Sequence, residues 1–258
     1  MTLSARSLLV DGVPRRVLLV EPEERPTAIV LSLHGSRSGP EEQVRLSGMD
    51  RLAGMDGAVV AFPQGSARLG RGWAWDHEGD LPFLSLLIDR LREDFPWAGR
   101  LCVAGMSGGA RMASLVGSAR SDAVAAIGAV AGLRAPTRPP GRPVSVIAFH
   151  GTADRINRYA GGGRPDWRES VPDAARAWAS ANGVVATPRE TPMGRTLTRT
   201  TYGDADGPGE VTLWTIRGGG HSWPGGRSMG LIARLLLGST TREIDATREI
   251  WEYHRRHA

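Results

Sequence analysis

RLCVAGMSGGARM, residues Arg100 to Met112, joins a short apolar run, Leu101 to Ala104, to a small-residue helical stretch through Gly105-Met106-Ser107-Gly108-Gly109. G-x-S-x-G between a strand and a helix is a nucleophile elbow, in which a sharp turn lifts the serine hydroxyl clear of the sheet. The glycines have a steric purpose. The serine sits in a strained backbone conformation, and side chains at 105 and 109 would collide with the strand and the helix on either side. Ser107 is therefore the candidate nucleophile, and the bland alternative is a Gly/Ser turn without chemistry.

The segments around this turn alternate between strand and helix. Ser7 to Val10 and Arg15 to Val20 flank Asp11-Gly12, a hairpin signal. Thr27 to Leu33 reads as a buried strand ending at His34-Gly35-Ser36, and helical spacing follows from Glu41 to Ala53. Ala58 to Phe62 is the next strand, and Gly70 to Gly79 is a loop rich in Gly, Trp and acid. Asp80 is placed to cap a helix from Leu81 to about Asp94, with Phe83, Leu84, Leu87, Ile88 and Leu91 on one face. Beyond the elbow helix, which reaches about Arg120, Ala123 to Ala131 and Val144 to Phe149 read as strands. Ser170-Val171-Pro172-Asp173 resembles a capping box and Asn182-Gly183 a helix end. Thr196 to Tyr202 and Val211 to Ile216 alternate as strands, Gly218 to Gly226 is a loop, and Asp245 to His254 is a closing helix. This pattern predicts an α/β fold, a mostly parallel central sheet with helices on both faces. Residues 1–258 are expected to form one domain, without a linker or internal repeat. Ala131 to Val144 is too short and proline-rich to supply a large lid.

Composition removes several classes of function. All 32 basic residues are arginine, lysine is absent, and no arginine run exceeds two residues. Walker A, Schiff-base and Ser-Lys chemistries, which need lysine, are excluded. The net charge of +5 is scattered and gives no nucleic-acid footprint. No stretch approaches 18 apolar residues, so no membrane partner is expected. Charges and Pro14 interrupt Val10 to Glu24 before it can serve as a signal peptide, so the chain as written is expected in the cytoplasm. Cys102, the single cysteine, reads as a buried filler.

A serine hydroxyl needs a histidine base, itself oriented by a carboxylate. Ser107, Asp154 and His221 each follow a strand, in the order Ser, acid, His. His34 and His150 precede glycines where a ring can pack and bond to backbone, His77 breaks the chain order, and His254 and His257 read as solvated. Asp204 and Asp206, in a turn between strands, are rivals for the acid. The backbone N–H groups of Gly108 and Ser36 are the candidate oxyanion hole. Asp76, Glu78 and Asp80 alternate as D-x-E-x-D but lack the distal glutamate and the glycine of a calcium loop, so no metal or other cofactor is expected. Trp223, Trp75 and Trp167 lie in loops and are candidates to border a substrate cleft.

These residues together resemble the poly(3-hydroxybutyrate) depolymerase-like and feruloyl-esterase-like α/β-hydrolases. The resemblance runs from about Gly12 to Tyr253. It rests on VLSLHGS (Val30 to Ser36), GMSGGA at the elbow, FHGTAD (Phe149 to Asp154), YAGGG (Tyr159 to Gly163), WASANG (Trp178 to Gly183), GGGHSWPGG (Gly218 to Gly226) and IDATREIW (Ile244 to Trp251). It implies a single-domain α/β-hydrolase fold, the triad Ser107, Asp154 and His221, and Trp223 beside the cleft. The expected activity is serine carboxylic-ester hydrolysis of short-chain, hydroxyacyl or aryl esters, with a small or oligomeric ester as partner. Many relatives are secreted and carry cysteine after the His-Gly pair. Ser36 stands there in this chain, which weighs against extracellular polymer degradation. An acyltransferase or serine peptidase on the same triad, or a homologue that has lost its chemistry, are the alternatives.

Overall fold

The computed structural model describes residues 1–163, 165–226 and 237–258. Apolar runs form the centre of a ten-stranded sheet, because a strand covered on both faces needs apolar side chains in both directions. Six strands run parallel: β4 (Ala58–Pro63), β3 (Ala28–Leu33), β7 (Leu101–Met106), β8 (Val124–Val130), β9 (Ser145–Gly151) and β12 (Val211–Ile216), adjacent in that order. Antiparallel strands close both edges. On one side, β2 (Val13–Glu21) pairs with β4 and carries β1 (Thr2–Val10) beyond it. On the other side stand β11 (Leu197–Tyr202) and β10 (Arg189–Pro192). The Asp11-Gly12 turn takes positive φ at both residues, which suits the twist of a two-residue hairpin.

Helices cover both faces, as the alternation predicts. On one face, α3 (Leu81–Asp94), α4 (Gly108–Ala119) and α5 (Val171–Ala181) share an apolar cluster with alternate residues of the central strands, and α3 supplies the five apolar residues read from its spacing. On the other face lie α1 (Pro40–Ser47), α2 (Arg51–Asp56) and the C-terminal helix, here α6 (Ala246–His257). The helical spacing of Glu41 to Ala53 is split in two, because Gly48 adopts a left-handed conformation and its N–H closes onto Val44 O. Ser170 caps α5 by accepting from Asp173 N at 3.2 Å, and Asp245 caps α6.

Several expectations need correction. Asp80 precedes α3 but makes no cap hydrogen bond. Its buried carboxylate instead pairs with Arg15 at 2.5 Å and accepts from the Ser66 and Asp76 N–H groups. The Gly70 to Gly79 loop contains part of a small hairpin, β5 (Ala67–Leu69) with β6 (Gly72–Ala74). His254 and His257 are not solvated. His254 is 1% exposed on the apolar face of α6, and the His257 ring bonds to Tyr253 O and lies 3.3 Å from Glu210 Oε2. The link 131–144 contains no helix or strand, in keeping with the reading of a short connection. Residues 227–236, between the histidine loop and α6, are outside the described residues.

Candidate active site

Ser107 stands between the end of β7 and the start of α4 with φ 54 and ψ −113, a backbone conformation that non-glycine residues rarely adopt. The neighbouring glycines allow it. A Cβ on Gly105 would meet Gly109 backbone carbon at 2.5 Å, and one on Gly109 would strike the carbonyl oxygens of Leu33 and His34. The elbow glycines thus let β7, α4 and the end of β3 approach one another closely. Ser107 itself is 8% exposed, at the N-terminus of a helix whose dipole favours negative charge.

The acid and the histidine come from the same sheet edge. The loops after β9 and β12 leave the carboxyl ends of parallel neighbours, as β7 does two strands away. These two loops are zipped together: Thr152 N donates to Ile216 O, Ala153 N to Gly219 O, and Gly218 N to Thr152 Oγ1. A Cβ on Gly151 would collide with the Gly219 backbone, so the acid loop needs glycine there to pack this closely. The result is a buried contact of 2.7 Å in which His221 Nδ1 donates to Asp154 Oδ2. That leaves His221 Nε2 on the side of the ring away from the carboxylate. No hydrogen bond joins Ser107 Oγ to His221 among the described residues; in unliganded hydrolases such contacts are often long and tighten with substrate.

Asp154 is held by four donors. Oδ1 accepts from Ile156 N and Asn157 N, both at 2.8 Å, and Oδ2 takes His221 and, at 3.3 Å, His150 Nε2. Burial by itself would raise this carboxyl, but the hydrogen bonds and charges of the two histidines outweigh it and hold Asp154 well below the usual carboxylate range. Asp204 and Asp206 precede β12 and so sit at the opposite sheet edge, where Asp206 pairs with Arg256.

The candidate oxyanion donors are neighbours. A Cβ on Gly108 would lie 3.4 Å from Ser36 N, and one on Gly35 would lie 3.8 Å from Ser107 Cβ. His34 steadies this loop: Nδ1 donates to Gly35 O at 2.8 Å, Nε2 accepts from Gly65 N at 3.0 Å, and burial lowers its pKa, favouring the neutral ring.

The three tryptophans read as cleft residues are all buried. Trp75 stacks on His34, 4.8 Å between ring centres, and donates to His34 O, so it braces the Ser36 loop from behind. Trp167 is buried against His150 and donates to Arg158 O. Trp223 is buried and donates to Thr247 Oγ1, tying the histidine loop to α6. An indole in a glycine-rich loop looks the same in sequence whether it faces outward or inward; here each N–H is satisfied internally and the faces pack in the core. Asn157, which the sequence reading passed over, links the acid loop to the end of β8 through Nδ2 to Ala131 O at 2.7 Å. Asp76, Glu78 and Asp80 do not converge, and no group of three or more His, Cys, Asp or Glu among the described residues could hold a metal ion.

A comparison with known proteins yields a relative that decides the family. The Nocardia uniformis subsp. tsuyamanensis protein named "Putative esterase NocK" is 30% identical over 267 aligned residues, which cover 87% of this chain and 75% of that protein. The chain belongs to the feruloyl-esterase-like family of α/β-hydrolase esterases. This esterase is also 28% identical to feruloyl esterase B of Piromyces equi, over 65% of its own chain but only 34% of that protein. The acetyl xylan esterase from Aspergillus awamori shares its fold with a TM-score of 0.64 at 15% identity, over 85% of this chain and 94% of that one. The Bacillus cereus carboxylesterase does so with a TM-score of 0.58 at 14% identity, over 94% of both chains. No family model matches the chain. The names of these relatives bear on the feruloyl-esterase side of the resemblance.

Proposed function

We propose that this esterase hydrolyses short-chain or aryl carboxylic esters through an acyl-enzyme on Ser107. The observation that carries the reading is the buried 2.7 Å pair of His221 and Asp154, at the same sheet edge as a serine strained into an elbow. Ser107 Oγ attacks the ester carbonyl as His221 Nε2 takes its proton, and Asp154 keeps the imidazole in the Nδ1–H tautomer and stabilises its cation. The N–H groups of Gly108 and Ser36 receive the developing oxyanion, aided by the N-terminus of α4. The tetrahedral intermediate collapses, the alcohol leaves with the proton from His221, and water repeats the sequence on the acyl-enzyme.

The names of the relatives support small acyl groups. One is a feruloyl esterase and two are acetyl xylan esterases, one of these joined to a xylanase. A single domain whose 131–144 link supplies no helix or strand suits soluble or oligomeric esters, with neither metal nor organic cofactor. The test is a series of p-nitrophenyl esters from acetate to palmitate beside methyl ferulate, run on wild type and Ser107→Ala. Activity should be highest at about two to four acyl carbons or on the ferulate, since methylenes left in water gain none of the roughly 0.8 kcal/mol available per buried methylene. Rates that climb towards palmitate contradict the substrate class, and a Ser107→Ala enzyme keeping a tenth of wild-type activity contradicts the mechanism.

A further inference from the structure

His150 has no part in the mechanism above, yet its ring touches the catalytic acid. It is the penultimate residue of β9, four residues before Asp154, and is 1% exposed. Nε2 lies 2.7 Å from Asn157 O and 3.3 Å from Asp154 Oδ2, and both are acceptors, so Nε2 carries the proton and shares it between them. Asn157 closes the circuit, because its own N–H donates to Asp154 Oδ1 while its amide holds Ala131 O. The other ring nitrogen, Nδ1, is buried without a partner among the described residues. Trp167 stacks on the ring at 5.9 Å and Tyr159 meets it edge-on at 6.0 Å. A ring kept only to fill the core and satisfy Asn157 O would not need to approach the carboxylate that also receives His221.

We infer that His150 is a positioning residue: its Nε2–H, shared with Asp154 Oδ2, fixes that carboxylate and draws off part of the negative charge it presents to His221, thereby setting the acidic limit of the enzyme's working range. This inference rests on the triad reading above. Removing the donor leaves more charge on Oδ2 facing His221, which favours the imidazolium and moves the acid limb of kcat/KM to higher pH. Among the described residues, the other titratable and charged groups around the pair are Tyr159, whose hydroxyl is bonded to Thr215 Oγ1, and Arg134 and Arg111, 4.2 and 5.9 Å from the Trp167 ring. Because they are unchanged in the variants, they cancel in the comparison.

The experiment is the pH profile of kcat/KM on p-nitrophenyl acetate for wild type, His150→Phe and His150→Gln, with Ser107→Ala alongside. Phenylalanine keeps the ring against Trp167 and loses the donor; glutamine restores an N–H near the position of Nε2. His150→Phe should raise the acid-limb pKa by about half a unit to one unit, and His150→Gln should return it most of the way. A merely structural ring would lower Tm in both variants and leave the limb where it is, and that result overturns the inference. Should the phenylalanine variant fail to fold, the 15N-histidine spectrum of the wild type decides: His150 must be protonated at Nε2 and bare at Nδ1 across the activity plateau, and the opposite tautomer overturns the inference. The two claims fail separately. An active Ser107→Ala enzyme defeats the triad reading, whereas a dead one beside an unshifted His150→Phe limb defeats only the role of His150.

Discussion

Replacing His254 by phenylalanine should make the protein far less sensitive to acid. The ring is buried on α6, about 6.0 Å from Trp251, and neither nitrogen has a hydrogen-bond partner among the described residues. Burial first, then the nearby His257 and Arg100, lower its pKa from the ordinary 6.5 to about 4. Below pH 6.5 the unfolded chain takes up a proton at this histidine that the folded chain refuses, so stability falls as pH drops from about 6.5 towards 4 and is fully present above that window. At 1.36 kcal/mol per pH unit, lowering the pH from 7.5 to 4.5 costs the native fold about 2–3 kcal/mol through this residue alone. Phenylalanine has nearly the same shape and no proton to bind, and no hydrogen bond is lost by the exchange. Urea unfolding of both proteins at the two pH values measures it, since the carboxylates common to both cancel in the difference. The variant should lie within about 1 kcal/mol of wild type at pH 7.5 and exceed it by about 2–3 kcal/mol at pH 4.5. An advantage below about 0.5 kcal/mol at pH 4.5 would show that His254 protonates freely in the fold, and the burial argument would be wrong.

Three further outcomes follow from contacts described above. Asp154→Asn replaces an acceptor facing His221 Nδ1 by an amide and should lower kcat/KM on p-nitrophenyl acetate by about four orders of magnitude, while Asp206→Asn should change it little. Gly109→Ala forces a methyl against the carbonyls of Leu33 and His34, and should lower both Tm and kcat by shifting the loop that carries Ser36. Arg15→Met leaves the Asp80 carboxylate buried without its cation and should cost about 3–5 kcal/mol in urea unfolding, much of it restored when Asp80→Asn is added.

The parts of this protein that were legible in the sequence are those in which a local pattern has one physical solution. A continuous apolar run such as Ala58 to Phe62 can only be buried on both sides, and glycines at 105 and 109 mark a turn that tolerates no Cβ. The strand ends before Ser107, Asp154 and His221 put those residues on one sheet edge. What stayed hidden depends on partners far along the chain. Asp80 has the right place for a helix cap, but Arg15, 65 residues earlier, claims its carboxylate. Trp75 is buried against His34 because its indole N–H finds a carbonyl 41 residues away. His254 sits among arginines, yet Ile250, Trp251 and His254 share one helical face, a spacing that does signal burial. The three-residue strands β5 and β6 are too short to leave any periodicity.

The central claim is that Ser107 is made nucleophilic by the His221–Asp154 pair. Labelling the wild-type enzyme with diisopropyl fluorophosphate, followed by digestion and mass spectrometry, tests it most directly. The account predicts one phosphoryl adduct per chain, on Ser107, formed much more slowly in His221→Ala and absent in Ser107→Ala. An adduct on another residue, or full esterase activity after Ser107 has been modified, would contradict it.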